Sequence, residues 1–313
     1  MGAFHAGEIE VQTRLLARAA AERVGRSVAS EIPVQLRPFL RSERMAVAAS
    51  LDAQGRPWAS LLTGPAGFIQ ATDNHLLRLA VTPLPDDSLV ANLRVRPELG
   101  LLVIDPRTRR RLRLNGRGLL SSDGLFLLPD AVYGNCTKYI QKRRLVGESE
   151  EKPGEVRRSS SLDARTRALV ARADTFFIAS WHPEGGADAS HRGGRPGFVR
   201  VRDDRTLEFS DYPGNNMFNT LGNLLGYPRA GLLFVDFDRG NLLQLTGRAR
   251  ILWEPEAAVR VAIEDVRETP GGSALRFELV EPSPVNPPLP VTPREHGHLK
   301  DGAGPRARVR RTR

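Results

Sequence analysis

Thr175-Phe-Phe-Ile-Ala-Ser-Trp181 is an apolar run of strand length, and the residues from there to Ile251 decide the fold. A polar, Gly-punctuated segment containing Asp188-Ala-Ser-His-Arg192 comes next. Two short strand patterns follow, Gly197-Phe-Val-Arg-Val201 and Thr206-Leu-Glu-Phe-Ser210. Asp211-Tyr-Pro-Gly-Asn-Asn216 then turns the chain, with Asn215 and Asn216 read as the first residues of a helix. Met217, Phe218, Leu221, Leu224 and Leu225 have the spacing of a helix face packed on a sheet. Gly231-Leu-Leu-Phe-Val-Asp236 and Asn241 to Ile251 close the stretch as two longer strands. Short strands, Gly/Pro turns and one short helix predict a small β-barrel.

The same order recurs upstream. Ser60 answers Ser190 and Gly67-Phe-Ile69 answers Gly197-Phe-Val199, at an offset of 130. Beyond the helix the offset becomes 131. There Asn92-Leu93 matches Asn223-Leu224, Gly100-Leu-Leu-Val-Ile-Asp105 matches Gly231-Leu-Leu-Phe-Val-Asp236, and Asn115-Gly116-Arg117 matches Thr246-Gly247-Arg248. A period this long marks duplicated domains, because solenoid repeats are far shorter. The fold class is therefore mainly β with flanking helices (α+β), as two tandem barrels related by internal duplication.

Strand, Gly turn, strand pair, Asn-rich helix start, then Pro228-Arg-Ala-Gly-Leu-Leu-Phe234 and Leu245-Thr-Gly-Arg-Ala249 resemble the FMN-binding split β-barrel of the pyridoxamine 5'-phosphate oxidase family. The resemblance covers residues 175–251 well and 45–120 more weakly. It implies FMN as cofactor, a small-molecule substrate and NAD(P)H as electron source. Tyr133-Gly-Asn-Cys-Thr-Lys-Tyr-Ile-Gln141 resembles a segment between the barrels of a two-barrel branch, which implies that Asn135, Lys138 and Tyr139 close over the cofactor. The family's second strand carries an Arg followed closely by a Lys, and its helix mouth carries cations. Here Gly193-Gly194 and Asn215-Asn216 stand in those places, which argues against pyridoxamine phosphate oxidation itself.

Composition bounds the remaining choices. The chain has 313 residues, a net charge of +10, 29 Gly and 23 Pro, enough length for two cores joined by many turns. Its longest apolar runs fall short of a membrane span, and no secretory h-region is visible, so a cytoplasmic location is the default expectation. A single cysteine, Cys136, excludes an internal disulfide. Half of the net charge lies in the last twenty residues, which lack any apolar period and read as a disordered tail. A solubilising end explains that tail better than a nucleic-acid site.

The expected organisation is an N-terminal helix and connector over 1–44, barrel one with a following connector helix over 45–146, a linker over 147–161, barrel two over 162–281, and a Pro-rich then basic tail over 282–313. Glu8 to about Val28 reads as one helix and Glu254 to Ile263 as a helical turn or two. Arg111 to Leu120 is taken as the last strand of barrel one. The basic run Arg107-Thr-Arg-Arg-Arg-Leu-Arg113 reads as a hairpin tip of solvated arginines. His5, alone near the terminus, and Cys136, with no histidine close in sequence, are weak candidates for chemistry.

Flavin mononucleotide needs cations or N–H donors for its phosphate, polar groups for its ribityl chain, and an apolar wall with donors for its ring. Barrel two supplies Ser190, His191, Arg192, Ser210, Asn215 and Asn216. On a strand Ser190 and Arg192 share one face and His191 takes the other. Asparagine at 215 and 216 also fits plain N-capping, and an exposed strand edge also fits His191 and Arg192. Barrel one is poorer: Ser60-Leu-Leu-Thr-Gly64 replaces Ser190-His-Arg-Gly-Gly194, and Asp86 and Asp87 would repel phosphate. The leading expectation is an FMN-dependent oxidoreductase with no metal and no identified catalytic residue, either alone or as a homodimer. A flavin carrier without turnover and a nucleic-acid-associated protein are the alternatives.

Overall fold

The computed structural model describes residues 2–81, 83–84, 86–134 and 136–289. Its helices are α1 (Ala6–Arg14), α2 (Arg18–Gly25), α3 (Arg37–Ser42), α4 (Leu89–Val95), α5 (Ala164–Arg172) and α6 (Asn219–Gly226). The first seven strands are β1 (Met45–Leu51), β2 (Pro57–Thr63), β3 (Ile69–Ala71), β4 (Leu77–Leu79), β5 (Glu98–Asp105), β6 (Arg110–Ser121) and β7 (Gly124–Gly134). They form one sheet in the order β2-β1-β5-β6-β7-β4-β3. After β8 (Lys142–Glu148) and β9 (Arg157–Ser159) come β10 (Thr175–His182), β11 (Gly186–Gly193), β12 (Val199–Val201), β13 (Thr206–Ser210), β14 (Arg229–Val235), β15 (Leu242–Leu252), β16 (Ala258–Thr269) and β17 (Leu275–Glu281). The second sheet runs β11-β10-β14-β15-β16-β13-β12, the first order repeated strand for strand. The repeat extends to a β-bulge after Asn115 in one sheet and after Thr246 in the other.

Strand alternation explains how two barrels make three cores. On β10, Phe176 and Ile178 enter the barrel-two core while Phe177 and Ala179 face a third core. On β1, Ala46 and Ala48 enter the barrel-one core while Val47 and Ala49 join that same third core. The third core is the seam between barrels, so both central strands are buried on two faces. Backbones approach closely there. A Cβ on Gly100 of β5 would lie 2.5 Å from the Ala187 carbonyl oxygen of β11, and one on Gly231 of β14 would collide with the Pro57 carbonyl in the equivalent place on β2.

Several sequence expectations fail where long-range pairing overrides local pattern. The helix expected over 8–28 is two, because Leu16 adopts a left-handed conformation (φ 54°) and turns α2 back toward Phe4. No connector helix follows barrel one among the described residues. Residues 124–134 complete it as β7, and 142–148 form β8, which pairs with β17 in a separate two-stranded sheet. The linker expected at 147–161 holds the end of β8 and all of β9, which pairs with β16. The helix expected at 254–263 is the start of β16, with Val259, Val261 and Ile263 buried at every second position. Residues 282–289 are irregular, as their prolines require. The rest of the expected tail, 290–313, lies outside the described residues.

α1 belongs to barrel two in space. Its Gly7 meets the Gly222 carbonyl of α6 so closely that any Cβ on Gly7 would overlap it. Glu8 Oε1 accepts from Asn219 Nδ2 at 2.5 Å, and Gln12 Nε2 donates to the Met217 carbonyl at 3.0 Å. No helix among the described residues is long and apolar enough to cross a membrane.

Candidate functional site

A cleft opens where the edge strand β11 and the segment between β13 and α6 meet β6 of barrel one. His191, Arg192, Ser210, Asn215, Asn216 and Tyr139, all anticipated from sequence, line it together. Two anticipated residues do not. Ser190 is fully buried behind the wall, donating to Asp188 Oδ2 at 2.9 Å and accepting from Thr220 Oγ1 at 3.1 Å. Lys138 is exposed and outside the lining, and Asn135 lies outside the described residues.

The expected helix mouth sits elsewhere too. Asn216 (φ 63°) and Phe218 (φ 60°) are both left-handed, so the helix cannot begin until Asn219. Asn215 Oδ1 accepts from the Met217 amide at 3.1 Å and shapes this turn. The loop therefore lays its own polar atoms along the cleft in place of a helix N-terminus.

Sequence reasoning missed two central residues. Leu112 and Leu114 point into the barrel-one core, so Arg111 and Arg113 must point to the seam, and both line the cleft. The signal was the Arg-Leu-Arg alternation itself, hidden inside a basic run. Only part of that run behaves as a solvated tip: Arg107 and Arg110 are exposed, whereas Arg113 is buried.

Arg113 is the best-paired of the cleft arginines. Its Nη1 donates to both Asp188 oxygens (3.2 and 3.3 Å) and to Asn219 Oδ1 (2.9 Å). Asp188 also accepts from Asn115 Nδ2 and the Tyr133 hydroxyl. Burial works against the Arg113 charge, yet Asp188 and Tyr133 outweigh it and raise its pKa. Arg192 Nη2 meets Asp211 Oδ1 at 3.3 Å, with burial lowering the Arg192 pKa and raising that of Asp211.

Arg111 differs. No carboxylate lies within ion-pair range of it among the described residues, and its one hydrogen bond joins Nη1 to His191 Nδ1 at 3.0 Å. Burial, then the charges of Arg113 and Arg192, push its pKa down to about 9, which still leaves it charged at neutral pH. Three cations thus face two carboxylates, with one positive charge unbalanced. Arg111 Nε, Arg113 Nε and His191 Nε2 are buried without a hydrogen-bond partner among the described residues. Such a set is arranged to receive an anion.

Aromatic groups line the same cleft. Phe198, Tyr212 and Phe218 line the cleft beside Tyr139. Tyr139 holds a left-handed conformation (φ 66°), donates its hydroxyl to the Pro213 carbonyl at 2.9 Å, and packs its ring 5.4 Å from that of Tyr212. Its backbone is held from behind: Ser283 Oγ accepts from the Tyr139 amide, and Gln141 Nε2 donates to the Tyr139 carbonyl. Residues 136–141 therefore strap the cleft from barrel one to barrel two.

A family model described as pyridoxamine 5'-phosphate oxidase matches residues 32–126 and 162–291, one match on each barrel. No curated protein matches the sequence. Among solved structures, a putative pyridoxamine 5'-phosphate oxidase from Lactobacillus delbrueckii is 15% identical over 34% of this chain and 94% of its own, with a TM-score of 0.29. HupZ from Group A Streptococcus is 15% identical over 39% of this chain and 98% of its own, with a TM-score of 0.28. An FAD-binding protein from Mesorhizobium loti is 16% identical over 36% of this chain and 97% of its own, with a TM-score of 0.26.

Proposed function

The chain belongs to the pyridoxamine 5'-phosphate oxidase family, and from that premise we propose that the cleft between its barrels binds a flavin, specifically FMN, in an oxidoreductase. The observation that carries this reading is the unbalanced cation: among the described residues Arg111 has no carboxylate partner and stands among buried donors that lack acceptors. A dianionic phosphate would supply both the charge and the acceptors. Arg111 and Arg192 would hold it, with Asn215, Asn216 and Ser210 as polar neighbours. Tyr139, Tyr212, Phe198 and Phe218 give the apolar wall that a flavin ring requires.

The donor set fits the group. It is rich in N–H donors, its cations outnumber its carboxylates, and aromatic side chains line the same cleft. Bound flavin would accept electrons from a reduced nicotinamide and pass them to a small acceptor. The chain's own residues would hold the phosphate, exclude water through the Tyr139 strap, and keep Asp211 paired with Arg192 so that its charge does not oppose the anion.

The test is direct. The purified protein should be yellow, or become so with FMN, and should bind FMN more tightly than riboflavin. Equal affinity for the two would remove the phosphate site. Steady-state NAD(P)H consumption by the yellow protein separates an oxidoreductase from a flavin carrier, since a carrier would show none.

A further inference from the structure

His191 sits on β11 with its ring edge-on to Phe177 at 5.8 Å, 4% exposed, and facing the cleft beside Arg111. Its Nδ1 lies 3.0 Å from Arg111 Nη1. A guanidinium has only donors, so Nδ1 must present its lone pair. A second ring proton would add a charge among arginines. Burial first, then Arg111, Arg192, Arg143 and Arg113, hold the imidazole pKa well below its usual range. The ring is therefore neutral with its single proton on Nε2, and that buried N–H has no acceptor among the described residues.

Folded proteins seldom leave such a donor unmet. Apolar side chains fill the equivalent barrel-one place: Leu61 stands at the position of His191 by the 130 offset, and Leu242 at that of Arg111 by the 131 offset, both within the seam core. A histidine with an idle N–H is thus specific to the open side.

We propose that His191 is a specificity-determining donor, fixed by Arg111 as the Nε2–H tautomer, which hydrogen-bonds an unprotonated phosphate oxygen of the ligand in this cleft. The proposal rests on the FMN reading and extends it. Arginines attract any anion, whereas a neutral donor held rigidly between Phe177 and Arg111 adds a directional requirement. No proton moves in this role. His191 acts as a donor throughout.

Two measurements on the full chain test it. The first is fluorescence titration with FMN and with riboflavin of the wild type, His191→Leu and His191→Gln. A glutamine side chain can place an amide N–H near the position of Nε2. His191→Leu should weaken FMN by roughly 10- to 100-fold and leave riboflavin unchanged, while His191→Gln should stay within about threefold of wild type. Unchanged discrimination in His191→Leu, or an equal loss for both ligands, overturns the proposal.

The second is a long-range ¹H–¹⁵N spectrum of the ligand-free protein at pH 7, with His191 assigned by its absence from His191→Gln. It should show a protonated Nε2 and a bare Nδ1, and inorganic phosphate should move the Nε2–H signal. An Nδ1–H tautomer, an imidazolium, or a signal indifferent to phosphate overturns the assignment. Should the wild type fail to bind FMN, the flavin reading falls alone, because the phosphate response still decides the role of His191.

Discussion

The two barrels meet along two equivalent seams, and evolution has treated them in opposite ways. On one, the edge strand β11 faces β6, and Arg111, Arg113 and His191 surround an open cleft. On the other, the edge strand β2 faces β15, and Leu242, Gln244 and Leu61 hold the matching positions. There Asp87 is the centre. It accepts from Ser60 Oγ at 2.6 Å, the Leu89 amide at 2.8 Å and Gln244 Nε2 at 3.1 Å. Burial raises its pKa against these bonds. One seam concentrates positive charge and leaves donors idle. Its counterpart buries a carboxylate and satisfies it. The three arginines and the histidine of the open side are matched on the other by Leu242, Gln244, Leu62 and Leu61, and Asp87 stands buried there.

The comparison breaks most visibly on stoichiometry and charge. One FMN per chain is expected, and Arg111→Glu should abolish binding, because it places a carboxylate against a dianion in a partly buried site where the repulsion amounts to several kcal/mol. Two FMN per chain by titration would mean that the Asp87 seam is not closed.

Arg192→Ala comes next. It removes one cation and leaves Asp211 unpaired beside the ligand, so FMN should weaken by about 1.5–3 kcal/mol. Leu62→Ala is the matched control at the equivalent barrel-one position, inside the barrel-one core, and should spare FMN affinity while costing core stability. Tight binding by the Arg192 variant would move the phosphate elsewhere.

Stability offers a third comparison. Asp87→Ala strands the hydroxyl of Ser60 and the amide of Gln244, so the urea midpoint should drop by the equivalent of about 1–3 kcal/mol with FMN stoichiometry unchanged. Glu8, behind the open seam, carries a pH signature instead. Burial first, then Asp188, raises its pKa to about 7 against the hydrogen bonds from His5 and Asn219. A carboxyl whose folded pKa lies above its unfolded value stabilises fully below about pH 4.5 and loses that contribution as pH rises through 7. Urea midpoints should therefore fall between pH 5 and pH 8 in the wild type and stay flatter in Glu8→Gln. Parallel curves would show that Glu8 does not titrate there.

The smallest effect belongs to the tail. Removing residues 294–313 should change neither melting temperature nor FMN affinity, since this stretch has no apolar period with which to dock. A large drop in melting temperature would show that it packs.

The barrels were legible because the landmarks that define them are local: Gly turns, strand-length apolar runs, and a repeat at constant offset. β8 and β16 were not, since their pairing partners β17, β15 and β13 supply what their own residues do not announce. The cleft was half legible. Residues on β11 and the loop after β13 were found because they cluster in sequence. Arg111 and Arg113 were misjudged because a run of arginines looks solvated until alternation on β6 sends two of them inward. Ser190 failed for the converse reason: it shares a strand face with Arg192 but lies two residues deeper, where Asp188 and Thr220 claim it.

The docking of α1 on α6 sets an order of events during synthesis. Residues 6–14 leave the ribosome ahead of both barrels, but their binding partner at 219–226 follows some two hundred residues later, roughly 10–40 s at ordinary elongation rates. Barrel one can close in that interval while the first helix waits without its groove. The Gly7–Gly222 contact is therefore among the last to form, and it joins a helix made before either barrel to the wall of the cleft. A peptide spanning residues 2–26, supplied in trans to a chain that lacks it, should restore that wall.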